Sequence, residues 1–484
     1  MLEFSVLIFL PLLSAGICYL LKSIRAQYTL SLSVSFLHLS FSLMIFTGWY
    51  HPNLPFFFST DSLSKLFLLV LSNVYFWVVL VSFSYLKRPT TSKAQEGKRY
   101  YFLLLNFYLF ANTAAILSNH FGVYWVATEA TTLSVAPLIY YYRNEEALEA
   151  MWKYLFVVSV GIAFAFIGIL FLTLSAHGTP LEGQQLFFSE FVKKAAGLNP
   201  VWLKASFIFI FVGLSTKIGI APMHSADVDA TSNSPSPIAA LMSGSLRITP
   251  LLGVMRIFQI IRPTAAFEFA KTILIIGGLL SLLVAFIFMF KVNNYKRLLA
   301  YSSVEHLGII TLGIGIGGLA FVGAMYHALY NSLNKVALFL TAGIIHRKFK
   351  TREVEGVNSV LNILPWTGWL FLLSFFAISA IPPFGIFFSE LMIFEGMLFS
   401  DKPWLLAITM FLLLFIFINM GRTIFQMLYR KDENEAVQKE KESFEIIHLA
   451  TIILLILLIA IAVISPNILH ENIINISKDF GITL

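Results

Sequence analysis

Seven ionisable side chains stand inside otherwise apolar stretches: Glu129 in WVATEATTLSVAP, Lys217 in STKIGIAPMH, and then Arg247, His306, His327, Lys335 and Glu390. At the centre of a spanning helix such a group costs about 2.5 to 3.5 kcal/mol on insertion scales, so it is retained where it pairs or does work. The row alternates in kind, which suits the handing on of protons. A lysine desolvated between helices can release its proton near neutral pH, while a carboxylate beside it holds the proton on. If Glu129 and Lys217 pair, separating them frees Lys217 to pass its proton along; the alternative is a purely structural ion pair. Histidine titrates in the physiological range, which places His306 and His327 in the middle of a relay. Arg247 stays charged and acts as a fixed charge that tunes its neighbours. His327, Asn331 and Lys335 are spaced i, i+4, i+8 and share one helix face, a polar stripe able to hold water. Lys153 follows Glu149 by four residues, the spacing of a surface ion pair or of a coupling residue. His224, Asp227 and Asp229 follow Pro222, so His224 and Asp229 are candidates for a cytoplasmic proton entrance; a solvated loop is the alternative.

The elements that must hold this row are set by composition. Of 484 residues, 58% are hydrophobic and 12% charged, against about a quarter charged in soluble domains. With roughly 20 apolar residues per span, the chain reads as an all-α polytopic membrane protein. About fourteen transmembrane helices are expected, near 4–21, 28–49, 62–85, 101–118, 121–142, 152–175, 203–230, 235–260, 271–290, 299–317, 321–345, 365–398, 404–429 and 445–465. The first run follows Glu3 instead of a basic stretch, so it reads as a span and not a removable signal. Lys and Arg concentrate in alternate gaps, among them Lys22/Arg25, Lys87–Arg99, Arg143, Lys291–Arg297, Arg347–Arg352 and Arg430–Lys441. By the positive-inside rule these gaps are cytoplasmic, which puts both termini on the outer side of the cell inner (plasma) membrane. Leu181–Leu198 reads as an external amphipathic loop, and Lys431–Glu445 as a cytoplasmic hairpin.

Two long spans are internally broken. The seventh carries Pro222 after Lys217, and the twelfth carries Pro382, Pro383 and Gly385 before Glu390. Proline removes a backbone donor and clashes with the preceding turn. In lipid that is tolerated only where protein or trapped water satisfies the freed carbonyls. Broken helices at matching places in oppositely running halves point to inverted repeats around a midplane ion site. The expected organisation is helices 1–3 over residues 1–100, a first repeat of helices 4–8 over 101–262, a second repeat of helices 9–13 over 263–430, and the hairpin with helix 14 over 431–484.

The single cysteine, Cys18, excludes an internal disulfide and an iron–sulfur cluster. No phosphate loop, Cys/His metal spacing or Ser/His/Asp set stands out, so neither a metal, a bound cofactor nor an intrinsic redox centre is expected. The net charge of +7 concerns membrane orientation and not nucleic acid. Energy must come from an ion gradient or a redox partner.

The stretches GVYWVATEATTLSVAPLIYYYR, TKIGIAPMHSADVDA, KRLLAYSSVEHLGIITLGIG, HALYNSLNKVALFLTAG and IPPFGIFFSELMIFEG resemble the antiporter-like subunits of respiratory complex I and of the Mrp cation/proton antiporters. Within that superfamily, WVATEATTL and TK-G-APMH are similar to the hydrogenase-4 component F branch of membrane-bound nickel–iron hydrogenase and formate hydrogenlyase complexes. The resemblance spans roughly residues 60 to 430. It implies a fourteen-helix fold with two inverted five-helix repeats, proton translocation, and packing beside other antiporter-like membrane subunits, with soluble iron–sulfur and nickel–iron (NiFe) subunits as further partners. It also implies roles: Glu129 matches the family's helix-five glutamate, Lys217 its helix-seven lysine, Lys335 the lysine of the second repeat, and Glu390 the residue ending the proton path. Two departures stand out. Arg247 stands where many members have Lys or His, and the usual H-x-W-L-P-D-A-H reads HSADVDAT from His224. The long lateral helix of the largest complex I member is not expected here. An Mrp-like subunit moving Na⁺ as well as protons, and the membrane half of an inorganic-carbon uptake complex, fit the same row.

Overall fold

The computed structural model of the chain describes residues 5–50, 54–87, 94–430 and 442–482. It is all-helical apart from isolated bridges. Much of the proposed hairpin, Lys431 to Lys441, lies outside the described residues, as do Arg88 and Lys93. The helices used below are α1 (Leu10–Leu20), α2 (Ile24–Phe46), α3 (Ser62–Lys87), α4 (Ala94–Leu117), α5 (Phe121–Ile139), α6 (Glu145–Ser175), α7 (Pro200–Ile218), α8 (Ser225–Asn233), α9 (Ser236–Ile261), α10 (Phe267–Met289), α11 (Tyr295–Ile316), α12 (Gly318–Phe349), α13 (Pro365–Ile378), α14 (Gly385–Leu398), α15 (Trp404–Tyr429), α16 (Ile446–Ile464) and α17 (Asn467–Asp479). Among the described residues, eleven of the helices are long and apolar enough to cross a membrane. The sequence explains several boundaries. Asn144, Asn199 and Asn294 cap α6, α7 and α11 through their side chains, and proline opens α7 and α13.

The two expected interruptions are present. The seventh predicted span ends as α7 at Gly219 and resumes as the short α8, and the twelfth divides into α13 and α14. Backbone freed at the first break finds a partner in protein: Ala221 N–H donates to Ser281 Oγ of α10 at 3.0 Å. At the second, a β-carbon on Gly385 would come within 2.4 Å of the Tyr330 ring, so only glycine lets α14 start against α12.

The connections sort to two ends, as alternate gaps require. At one end, bridges join Phe58 to Ser118 and His120 to Phe187, and Gln259 donates to the Asp479 carbonyl. At the other, Asn294 bridges to Glu353, and Arg352 pairs with Glu146 at 3.4 Å. Burial follows position. Windows of α9 and α12 are wholly buried, whereas those of α2, α6, α15 and α16 are 39% buried and present Phe, Leu and Ile outward. In lipid the driving force between helices is close packing, which small residues favour: Gly161 of α6 and Gly213 of α7 face each other so closely that a β-carbon on either would meet the other's carbonyl.

Two segments differ from expectation. Leu181–Leu198 contains a short helix, Phe188–Lys193, whose Phe188 and Phe191 pack on Phe121. After the last span the chain forms α17, an amphipathic helix burying Leu469, Ile473 and Ile476; its i, i+4, i+7 pattern is readable in NILHENIINI.

Candidate functional site

In the first half, Lys217 is fully buried in the last turn of α7. Its Nζ donates to the Thr128 carbonyl at 2.5 Å and to Thr132 Oγ1 at 2.7 Å. Glu129 is half-buried on α5; its Oε1 accepts from Ser159 Oγ of α6 at 2.6 Å and its Oε2 from Thr132 Oγ1 at 3.4 Å. The Thr132 hydroxyl therefore stands between carboxylate and ammonium, accepting from one and donating to the other. The pair is bridged instead of direct, because Thr132 lies one helical turn after Glu129 on the same face.

At the centre, α9 carries one π turn, Met242–Leu246, immediately before Arg247; such turns recur at functional positions. Arg247 Nη2 lies 2.5 Å from Asp227 Oδ2 and donates to Thr231 Oγ1 at 3.1 Å, with Arg247 and Asp227 both buried. Asp227 rests on Gly219, two residues beyond Lys217, where a β-carbon would fall 2.8 Å from Oδ2. On α12, Lys335 Nζ donates to the Leu299 carbonyl at 3.2 Å and to Ser302 Oγ; Arg247 and Glu305 are its charged neighbours. Around this centre, Arg247 Nε and Nη1, Asp227 Oδ1, Tyr154 Oη, Asn331 Oδ1 and both amide atoms of Asn334 are buried without a partner among the described residues. Buried polar atoms are satisfied by ordered water where protein does not reach them. The expected stripe of His327, Asn331 and Lys335 is buried along its whole length.

In the second half, His306 Nδ1 and His327 Nε2 are 3.0 Å apart, His327 Nδ1 and Ser389 Oγ are 3.0 Å apart, and Ser389 Oγ donates to the Ile386 carbonyl at 2.9 Å. Glu305, His306, Ser379 and Glu390 line a cavity of about 40 Å³, together with Ile378, Leu413, Ile416, Phe417 and Met420. That is room for a few water molecules. His306, His327 and Glu390 bring one ligand atom each within 4.8 Å of one another, a spacing a metal ion could use. The hydrogen bond between the imidazoles occupies a lone pair that coordination would require.

One end opens into a polar vestibule of about 570 Å³, lined by Glu146, Glu149, Lys153, Asp229, Asn294, Arg297, His346, Lys350 and Arg352 among others. Lys153 pairs with Glu149 at 2.5 Å, the i, i+4 contact, and lies 3.7 Å from Asp229, which meets Arg297 at 2.9 Å. Asp229 thus lines the mouth. His224 does not line it: its ring packs against Phe288 and Tyr301. Lys296, grouped by sequence with the loop charges, is fully buried and donates to the Ser234 carbonyl at 2.5 Å.

Sequence reasoning passed over Glu305 and Thr132, and it grouped Asp227 with His224 and Asp229, not with Arg247. Glu305 carried a signal, since it adjoins His306 within an apolar run; the contact of Asp227 with Arg247 depends on tertiary packing and carried none.

Residues 118–416 match the family model described as NADH:quinone oxidoreductase/Mrp antiporter, TM. The chain is 33% identical to the hydrogenase-4 component F homolog of Methylacidiphilum infernorum (isolate V4), over 72% of this chain and 74% of that one. Among solved structures, it superposes with a TM-score of 0.86 on a chain of the membrane-bound sulfane sulfur reductase, an archaeal respiratory membrane complex, at 21% identity and covering 99% of this chain and 97% of that one. A chain of the Mrp complex from Dietzia sp. DQ12-45-1b gives 0.84 at 16% identity, covering 99% and 98%. At such identities the structural likeness shows the fold, while the sequence matches show the family. The chain is a multi-pass membrane protein and belongs to the NADH:quinone oxidoreductase/Mrp antiporter transmembrane family.

Proposed function

We propose that this chain is the proton-translocating membrane subunit of a redox-driven complex of the hydrogenase or NADH dehydrogenase-like kind. It works beside other antiporter-like membrane subunits and soluble iron–sulfur or nickel–iron partners that carry the electrons. The observation that carries the reading is a row of titratable groups, half-buried Glu129 and buried Lys217, Lys335, His327, His306 and Glu390, interrupted at its centre by polar atoms that have no partner among the described residues and call for water. A proton would enter from the vestibule past Asp229 and move between Lys217 and Lys335 through water around Arg247. It would reach Glu390 through the small cavity that Glu305, His306 and Glu390 line. Arg247, paired with Asp227, is a fixed charge and does not carry the proton.

In this proposal the fourteen expected spans comprise the eleven long apolar helices together with α1, α5 and the α13–α14 unit. Helices 4–8 and 9–13 form two inverted repeats, broken at α7/α8 and α13/α14. The vestibule, rimmed by Lys153, Arg297, Lys350 and Arg352, faces the cytoplasm by the positive-inside rule.

The test is purification of the tagged chain in mild detergent, identification of its companions by mass spectrometry, and reconstitution into liposomes. Iron–sulfur and nickel–iron companions, with substrate-driven proton movement that needs no Na⁺, are the expected result. Companions restricted to small membrane subunits with Na⁺-dependent exchange, or a soluble zinc-type partner, would overturn it in favour of an Mrp-like antiporter or a carbon-uptake complex.

A further inference from the structure

The contacts around the histidine pair favour one nitrogen on each ring as the carrier of its hydrogen. Ser389 Oγ donates its one hydrogen to the Ile386 carbonyl at 2.9 Å, so toward His327 Nδ1, 3.0 Å away, it can only accept. His327 then carries its hydrogen on Nδ1 and offers the Nε2 lone pair. The ring facing that lone pair at 3.0 Å, His306, must donate from Nδ1, which leaves its own Nε2 as the free acceptor. His306 is the member of the pair that lines the cavity shared by Glu305 and Glu390. The reverse arrangement, with Ser389 donating to His327, would take the hydroxyl hydrogen from the Ile386 carbonyl and cost one hydrogen bond.

We propose that Ser389 is a positioning residue that makes the His306–His327 pair a proton-loading site with a single open end. A proton arriving from a carboxylic acid in the cavity binds His306 Nε2, and the Nδ1 proton of His306 shifts to His327 Nε2. The pair then holds one positive charge, and the donor carboxyl is left as carboxylate. Transfer stops at Ser389, whose hydroxyl is committed to a backbone carbonyl that cannot take up a proton. The proton therefore leaves as it came, through His306, and does not leak along α14. Glu305, beside Glu390 in the cavity, is a second carboxyl able to load the pair. This inference rests on the proton-carrying reading above, but its primary readout is independent of it.

The experiment is ¹⁵N-histidine solid-state NMR of the full chain in liposomes, near pH 8, with the two resonances assigned by subtraction in His306→Gln and His327→Gln. The expected result is Nδ1–H on both rings in the wild type. Ser389→Ala should release His327 to a mixture or to Nε2–H, and Ser389→Thr should restore the wild-type pattern. In the reconstituted complex Ser389→Ala should lower proton translocation several-fold and Ser389→Thr should retain it. An Nε2–H His327 in the wild type, or unchanged tautomers in Ser389→Ala, would overturn the role of Ser389 whatever the flux. Absent proton flux in a wild type showing the expected tautomers would instead count against the proposed function alone.

Discussion

Each half of the molecule places a titratable group on a broken helix, Lys217 on α7 and Glu390 on α14, but the two surround it differently. In the first half an ammonium and a carboxylate, Lys217 and Glu129, are held apart by one hydroxyl, and Glu129 is only half-buried on the outer side of α5. In the second half two carboxyls and one imidazole, Glu305, Glu390 and His306, line a small cavity beside the break, with His327 hydrogen-bonded to His306 and the lysine, Lys335, set back toward the centre. The first arrangement is bridged through Thr132, and on the proposed function drawing Glu129 away would free Lys217. The second is compact, with its two imidazoles hydrogen-bonded, and on the proposed function it would store a proton. On the proposed function the two act as a switch and a store in series, joined through the water-demanding centre around Arg247.

The largest way to break that comparison is at its centre. Asp227→Asn leaves the buried Arg247 charge uncompensated, a loss on the order of 3–5 kcal/mol. The expected outcome is a sharp fall in folded protein recovered from membranes, read by size-exclusion profile, whereas Asp227→Glu should fold. In the second half, Glu390→Gln should reduce proton translocation at least tenfold, measured with a pH-sensitive dye in liposomes, while electron transfer continues. Glu305→Gln should reduce it less, because Glu390 still faces the cavity; equal losses would mean that both carboxyls are obligatory. In the first half, Thr132→Val removes the bridging hydroxyl and should slow translocation several-fold, with Thr132→Ser near wild type. A wild-type rate for Thr132→Val would show that Glu129 and Lys217 communicate without it.

The smallest expected effect lies at the end opposite the vestibule, outside both halves' chemistry. Burial alone would favour protonated Asp61, but the Arg256 guanidinium and the Ser64 N–H and hydroxyl hold its carboxyl down to about 2 from 3.8. A depressed carboxylate stabilises the fold above its unfolded value and loses that contribution as pH falls through the folded one. At about 1.4 kcal/mol per unit, Asp61→Asn should cost about 2 kcal/mol at neutral pH. The thermal melting difference between the variant and wild type should persist down to about pH 4 and vanish near pH 2.

Much of this was legible in the sequence because lipid makes apolar length and buried charge unambiguous. The spans, both helix breaks and the main row of ionisable residues follow from hydropathy, Pro222, Pro382–Pro383 and the cost of charge in a bilayer. What was not legible depends on which helix faces meet. Thr132 reads as an ordinary helical threonine until Lys217 is seen beside it. His224 reads as an entrance until its ring is seen against Phe288, and Lys296 reads as a loop charge until the Ser234 carbonyl is seen above it.

Whether the halves work in series is decided most directly by proton translocation per electron in the reconstituted complex carrying Lys217→Met, compared with wild type. A single path through both halves predicts less than about a tenth of the wild-type flux, with electron transfer retained. A flux of half or more would contradict it and show that the second half conducts by itself.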